Sequence, residues 1–401
     1  MLLVIAQFIF PVETKALQVQ SEKKQEQMEE SKLYSKSCAL VDGDSGRLLY
    51  GKNEEEKMPN ASTTKILTCI LAMENCRMDE VVTFSAEAAA QPKVHLGTKK
   101  GEQFYLGDLL YGLMLESYND CAYAIAEHVA GSVKEFAEQM NEKAQDIGCT
   151  DSHFVTPNGL DGEDESGSHQ TTAYDLCRIM SYCAWESPVS KQFLALTQTR
   201  EHNFSSLSGT GYAVSNKNAF LDMMDGVITG KTGYTAKAGY CYVAAVEDDG
   251  RHYAIALLAC GWPNNKTYRW SDAKSLFQYG LDYYHLYHGT DDAFQLETIE
   301  TGGGYKTGTL SEWGKRVKLS LYVDAEDQNL TFLKADWDEA QVKKEFTKVL
   351  QLPINKGEKM GVISYCINGE ALYSYDICAA ESLKKWDFKA FMQAMLQEFL
   401  P

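Results

Sequence analysis

Ser62 and Lys65 stand three residues apart where the polar turn Pro59-Asn60-Ala61 runs into the apolar residues Ile66, Leu67, Ile70 and Leu71. Three residues is just under one helical turn, so a helix opening here raises the Lys65 amine on the same face as the Ser62 hydroxyl, whose proton it can take. The positive end of that helix favours the resulting alkoxide, and Ser62 would cap or open the helix. Taken alone the pair is equally a plain cap followed by a solubilising charge. Ser117 and Asn119 lie in the turn Glu116-Ser117-Tyr118-Asn119-Asp120, ahead of a helical run at 121–129. From there they can point into a cleft, the first as a proton relay and the second as an amide contact. Lys231, Thr232, Gly233 and Tyr234 lead into a strand at 240–246 and gather a cation, a hydroxyl and a bare backbone at a strand start. Gly233 would let a substrate backbone approach the strand edge.

The elements that must position these groups are readable in outline. Strand-like runs at 39–41 and 240–246 enclose helical ones at 66–74 and 121–130, an α+β texture. Beyond His288 the pattern changes to short alternating runs, including 317–323 and a hairpin in which 362–367 and 370–377 flank the type I′ turn signal Asn368-Gly369. A chain of 401 residues, 44% hydrophobic, has the apolar material for two domains. The expected order is a signal peptide at 1–16, a charged tether at 17–36, a main domain at 37–288, a β-rich domain at 289–380 and an amphipathic tail helix at 381–401. The apolar run 2–10 has signal-core length but no preceding Lys or Arg, so a buried strand is the other reading. In the tail, Phe388, Phe391, Met392, Met395, Leu396 and Phe399 make one face beside Lys384, Lys385 and Lys389, suited either to a membrane surface or to packing on the β-rich domain.

Charge and cysteine content narrow the function classes. With 38 Lys and Arg against 56 Asp and Glu, the net charge of −18 gives nucleic-acid binding no electrostatic basis. Eleven cysteines without a CxxC pair spell neither a disulfide framework nor a zinc ribbon, and Cys69, Cys121, Cys177 and Cys260 sit among apolar neighbours as small buried hydrophobes. The eight histidines form no HExxH pair, so neither metal nor cofactor is expected. Gly43-Asp44-Ser45-Gly46 reads as a hairpin turn rather than a serine-protease motif, because the first histidine is His95.

Ser-x-x-Lys, Ser-x-Asn and Lys-Thr-Gly in this order form the signature set of the active-site-serine penicillin-binding proteins and β-lactamases. With the stretches 41–50, 61–68, Thr156-Pro157-Asn158-Gly159-Leu160, 169–176, Asn216-Lys217-Asn218 and 230–240, the chain resembles the low-molecular-mass D-alanyl-D-alanine carboxypeptidases, peptidase family S11, over about residues 35–285. The resemblance implies a transpeptidase-like α+β domain, an antiparallel sheet with helices and a helical lobe, followed by the β-rich domain. It implies Ser62 as nucleophile, Lys65 as general base and Ser117 as relay to the leaving amine. Asn119 would hold the substrate amide, and Lys231 would add positive charge that helps bind the anionic peptide and discourages Lys65 from staying protonated. Thr232 and Arg269 would hold the terminal carboxylate, and the N–H groups of Ser62 and Tyr234 the oxyanion. Arg269 rests on one short anchor, and a surface arginine is its alternative reading. His169 is expected to be structural. The implied partners are a peptidoglycan stem peptide ending in D-Ala-D-Ala and β-lactams, met outside the cytoplasm. A class A β-lactamase would need a glutamate-activated water, yet after Leu160 only Glu163 and Glu165 appear, in a Gly- and Ser-rich loop. An inactive wall-binding scaffold is the third class.

Overall fold

The computed structural model describes residues 28–288, 296–324, 330–346 and 351–399. The segment expected to be a signal peptide lies outside the described residues. The chain divides between His285 and Leu286 into two compact units.

In the first unit β1 (Ser37–Asp42), β2 (Leu48–Lys52), β3 (Val227–Thr235), β4 (Gly239–Asp248) and β5 (Arg251–Leu258) form one antiparallel sheet in the order β2-β1-β5-β4-β3. All six residues of β1 are buried, which requires cover on both faces. Alternate residues supply it, since successive side chains of a strand point to opposite sides. Ala39, Val41, Ala254 and Ala256 join the large core that includes Leu176 and Ile179 of the helix Ala173–Ser181. Leu40 and Tyr253 instead meet Gly280 of the helix Tyr268–Tyr283, where a side chain on Gly280 would collide with the Tyr253 ring. The Gly43–Gly46 stretch is the turn between β1 and β2, with the Ser45 hydroxyl donating to Asp42 at 2.6 Å.

The helical lobe is built around α1 (Lys65–Asn75), whose first nine residues, Lys65 to Met73, are all buried. A helix apolar on every side belongs in the middle of a lobe, and the consequence is that Lys65 starts inside dry protein. The α2 helix (Asn119–Ala130) packs beside it and stops at Gly131, which takes the left-handed conformation at φ 84° that suits glycine at a helix end.

The described end of the charged segment differs from the solvated tether expected up to residue 36. Leu33 and Ser35 are buried, Tyr34 stacks on Tyr268 at 3.7 Å, and the Tyr34 and Ser35 amides donate to Asp272. Two apolar side chains and a buried carboxylate acceptor outweigh the polarity around them.

In the second unit β6 (Leu321–Asp324), β7 (Ala340–Phe346), β8 (Lys359–Ile367) and β9 (Glu370–Ala379) form a sheet in the order β6-β9-β8-β7. Asn368 and Gly369 join β8 to β9 at φ 52° and 91°, the two left-handed residues that a type I′ turn needs. The tail helix, α3 (Phe388–Phe399), begins later than residue 381. Leu383 is fully buried and bridges Ile354, and Lys384–Lys385 pairs as a short strand with Gly304–Tyr305. Backbone pairing around one buried leucine holds that stretch extended.

Candidate active site

Ser62 lies in the 3-10 turn Ala61–Thr64 that leads into α1, so it opens the helix and does not cap it; the residue at the cap position is Thr64. Ala61 immediately before it has φ 50°, a conformation that costs a side-chain-bearing residue about 1–3 kcal/mol and is stored mainly at functional sites. Lys65 Nζ donates to Asn119 Oδ1 at 2.9 Å and to the Asn158 carbonyl at 2.5 Å, and lies 2.9 Å from Ser62 Oγ. Burial, and then the positive charge of Lys231, hold the Lys65 amine well below the usual lysine range. An amine whose charged form is disfavoured, with a hydroxyl 2.9 Å away, is placed to act as a base beside its nucleophile.

Ser117 follows the π-helical turn Gly112–Glu116 and itself sits at φ 66°. Lys231 Nζ donates to Ser117 Oγ and to the Thr232 carbonyl, each at 2.9 Å. Burial and the Arg269 guanidinium push the Lys231 amine down to about 7. Two lysines thus hold two serines, one from the head of α1 and one from the edge strand β3.

Strand β3 approaches the nucleophile closely because Gly233 has no side chain. A Cβ there would lie 3.0 Å from both the Ser62 nitrogen and the Asn60 carbonyl oxygen. The loop carrying Asn158 uses the same device, since a Cβ on Gly159 would sit 1.9 Å from the Ala61 carbonyl oxygen. A cleft of about 330 Å³ results, lined by Ser62, Ser117, Lys231, Thr232, Gly233, Tyr234 and Arg269 among others. Arg269 is no free surface arginine: its guanidinium lies 4.5 Å from the Trp270 ring centre and 5.2 Å from that of Tyr240, and its buried Nε has no partner.

The structure therefore brings together all nine residues singled out in the sequence. Asn119 does not line the cleft. Its Oδ1 accepts from Lys65 and its Nδ2 donates to the Pro92 carbonyl at 3.1 Å, contacts that hold the amide beside Lys65. Sequence reasoning gave no role to Asn158, whose carbonyl receives Lys65 and, at 3.4 Å, Ser62; a main-chain acceptor leaves no trace in residue type. Asn218 was missed likewise, although it lines the cleft and accepts from Tyr242 at 2.9 Å. His169 is structural, as expected. Its Nδ1 accepts from the Val155 amide at 3.0 Å, its Nε2 meets Thr64 Oγ1 at 2.9 Å, and burial pushes it down to about 3. Glu163 and Glu165 are exposed. Among the described residues the one carboxylate lining the cleft is Glu116, 3.0 Å from Lys217 Nζ and from the Ser215 amide, so no glutamate is poised there to activate a water.

Comparison with known proteins agrees with this geometry. A family model described as D-alanyl-D-alanine carboxypeptidase (Peptidase_S11) matches residues 22–259, and one for the penicillin-binding protein 5 C-terminal domain matches residues 303–385. The D-alanyl-D-alanine carboxypeptidase DacF of Bacillus subtilis is 26% identical over 373 residues, 91% of this chain and 90% of that protein. Penicillin binding protein 5 from Haemophilus influenzae superposes with a TM-score of 0.67 over 88% of this chain and 98% of that one, at 22% identity, a likeness of fold. The cefotaxime-bound form of penicillin-binding protein D2 from Listeria monocytogenes gives a TM-score of 0.54 at 25% identity, over 62% of this chain and 98% of that one.

Proposed function

The chain belongs to the D-alanyl-D-alanine carboxypeptidase family, peptidase family S11, and from that premise we propose the following division of labour in its cleft. The protein is a serine-type D-Ala-D-Ala carboxypeptidase. Ser62 Oγ attacks the carbonyl carbon of the penultimate D-alanine while its proton passes to neutral Lys65 Nζ. The N–H groups of Ser62 and Tyr234 receive the charge that develops on the carbonyl oxygen. As the peptide bond breaks, the leaving D-alanine nitrogen takes a proton through Ser117, which Lys231 holds. Lys231, Thr232 and Arg269 receive the terminal carboxylate, the planar guanidinium fork matching its two oxygens. Asn119 and the Asn158 carbonyl keep Lys65 aimed. Water then attacks the acyl-serine and releases the shortened peptide. A β-lactam enters by the same attack, but its leaving nitrogen stays tethered in the site.

The observation that carries this reading is the 2.9 Å contact between Ser62 Oγ and a lysine amine that has no exposed surface. The test is labelling by a fluorescent penicillin, together with release of free D-alanine from a stem pentapeptide. Wild-type protein labels covalently and releases D-alanine faster than it turns over penicillin, and Ser62→Ala does neither. Labelling that survives in Ser62→Ala removes the assigned nucleophile. The substrate places the enzyme on the outer side of the cytoplasmic membrane, and the apolar stripe of α3 is suited to hold it at the membrane surface.

A further inference from the structure

Away from the cleft, Cys76, Glu80 and His128 form a mixed cluster of metal-ligating groups whose donor atoms all lie within 4.8 Å of one another. They come from three elements: Cys76 ends α1, Glu80 precedes the strand Val81–Thr83, and His128 lies in the last turn of α2. At 1.5 Å per residue along α1 the cluster is about 16 Å from Lys65. Neither the chemistry of the cleft nor its supporting contacts use it.

We propose that Cys76, Glu80 and His128 bind a divalent zinc ion. A thiolate, an imidazole and a carboxylate are the ligand types of three-ligand zinc sites, with water in the fourth position. Tetrahedral bonds of about 2.0–2.3 Å put donors about 3.5 Å apart, inside the range already present: His128 Nε2 and Glu80 Oε2, now 3.0 Å apart, would open slightly, and donors spaced up to 4.8 Å would draw in. Glu80 is oriented from behind, because its Oε1 accepts from the Arg77 amide at 2.9 Å, the kind of outer contact that fixes a metal-binding carboxylate. Arg77, the residue after Cys76, has its guanidinium engaged by Asp79 at 3.0 Å. The cluster is also open to an ion in solution. Cys76 alone of the eleven cysteines is not buried, and the His128 and Glu80 side chains keep 22% and 31% of their surface exposed. A thiol is the wrong residue for magnesium or calcium and a good one for zinc. On binding, the Cys76 thiol gives its proton to solvent and its sulfur to the metal. The ion would clamp the far ends of α1 and α2, the helices whose first residues are Lys65 and Asn119.

Metal-free full-length protein, competed against a chromogenic zinc chelator, should take up about one zinc ion per chain and melt at a higher temperature once it has done so. Cobalt in its place should show a thiolate-to-cobalt charge-transfer band. Cys76→Ser and His128→Ala should each weaken zinc binding by more than about tenfold and abolish or weaken that band, while labelling of Ser62 by fluorescent penicillin reports that they remain folded. Zinc uptake equal in wild type and Cys76→Ser overturns the site. Should either variant fail to fold, alkylation of the wild type decides: saturating zinc must protect Cys76 from iodoacetamide and magnesium must not. Unprotected Cys76, or equal protection by magnesium, ends the proposal.

Discussion

A lysine buried without a carboxylate partner is costly to a fold, and the cleft holds two such lysines close together. Lys231 is 2% exposed and its contacts are a hydroxyl and a carbonyl oxygen. Below about pH 7 its amine carries charge in folded and unfolded chains alike, and the whole cost of burying that charge stands. Between about 7 and the free-lysine value of 10.5 the unfolded chain holds more protons than the folded one, so this contribution makes stability rise with pH and then level off. Lys231→Met should therefore be inactive towards anionic stem peptides yet more stable than wild type at pH 7. The expected gain is about 2 kcal/mol, the relief of desolvation exceeding the lost hydrogen bonds. Denaturant unfolding of both proteins at pH 7 and pH 10 checks it: the advantage should be largest at pH 7 and shrink as pH rises. A variant less stable than wild type at pH 7 would show that the amine supports the fold.

At the scale of elements the site is a matter of how near β3 comes to the turn before α1. Gly233→Ala would place a methyl group 3.0 Å from the Ser62 nitrogen, on backbone atoms that have no rotamer through which to yield. The strand edge must retreat by a few tenths of an ångström, and hydrogen-bond catalysis is sensitive to displacements of that order. Penicillin acylation of Gly233→Ala should fall by roughly tenfold or more, while its thermal midpoint stays within a few degrees of wild type, because β3 keeps its full register with β4. Unchanged acylation would mean that the approach is looser than drawn. The helix that lifts Lys65 beside Ser62 and the Asn368-Gly369 turn were legible in the sequence, because each is written in side-chain types at a fixed spacing; Gly233 was legible as a point of close approach, but to a substrate backbone and not to the turn before α1. What stayed hidden is main-chain chemistry. The Asn158 carbonyl holds Lys65 through an atom that every residue possesses, and Ser117 adopts a left-handed backbone to which its type gives no clue. The contacts of Asn119 with Pro92 and Lys65 were hidden too, because an amide does not announce its partners in its residue type.

For the molecule as a whole, the question is what α3 offers a chain with a net charge of −18. Among the described residues no helix is long and apolar enough to cross a membrane, but α3 leaves an apolar stripe uncovered. Phe391 packs on Trp313 with ring centres 4.5 Å apart and Ala394 is buried. Phe388, Met392, Leu396 and Phe399 are 81%, 41%, 51% and 68% exposed. At steps of four, four and three residues they follow one side of the helix. Lys384, Lys385 and Lys389 stand close in sequence and bring the positive charge that an anionic lipid surface attracts against the negative balance of the rest. The structure also dictates where to cut. Leu383 belongs to the buried cluster with Ile354 and Met360, so removing residues 383–401 would open the core of the second unit, whereas removing residues 388–401 takes away the helix alone. In flotation with vesicles containing anionic lipid, the intact chain should rise with the lipid and the chain ending at Asp387 should stay behind, both labelling with penicillin at the same rate. Replacing Phe388 and Phe399 with serine should weaken flotation without the truncation, and high salt should weaken it further by screening the lysines. Equal flotation of intact and shortened chains would assign the stripe to packing within the protein.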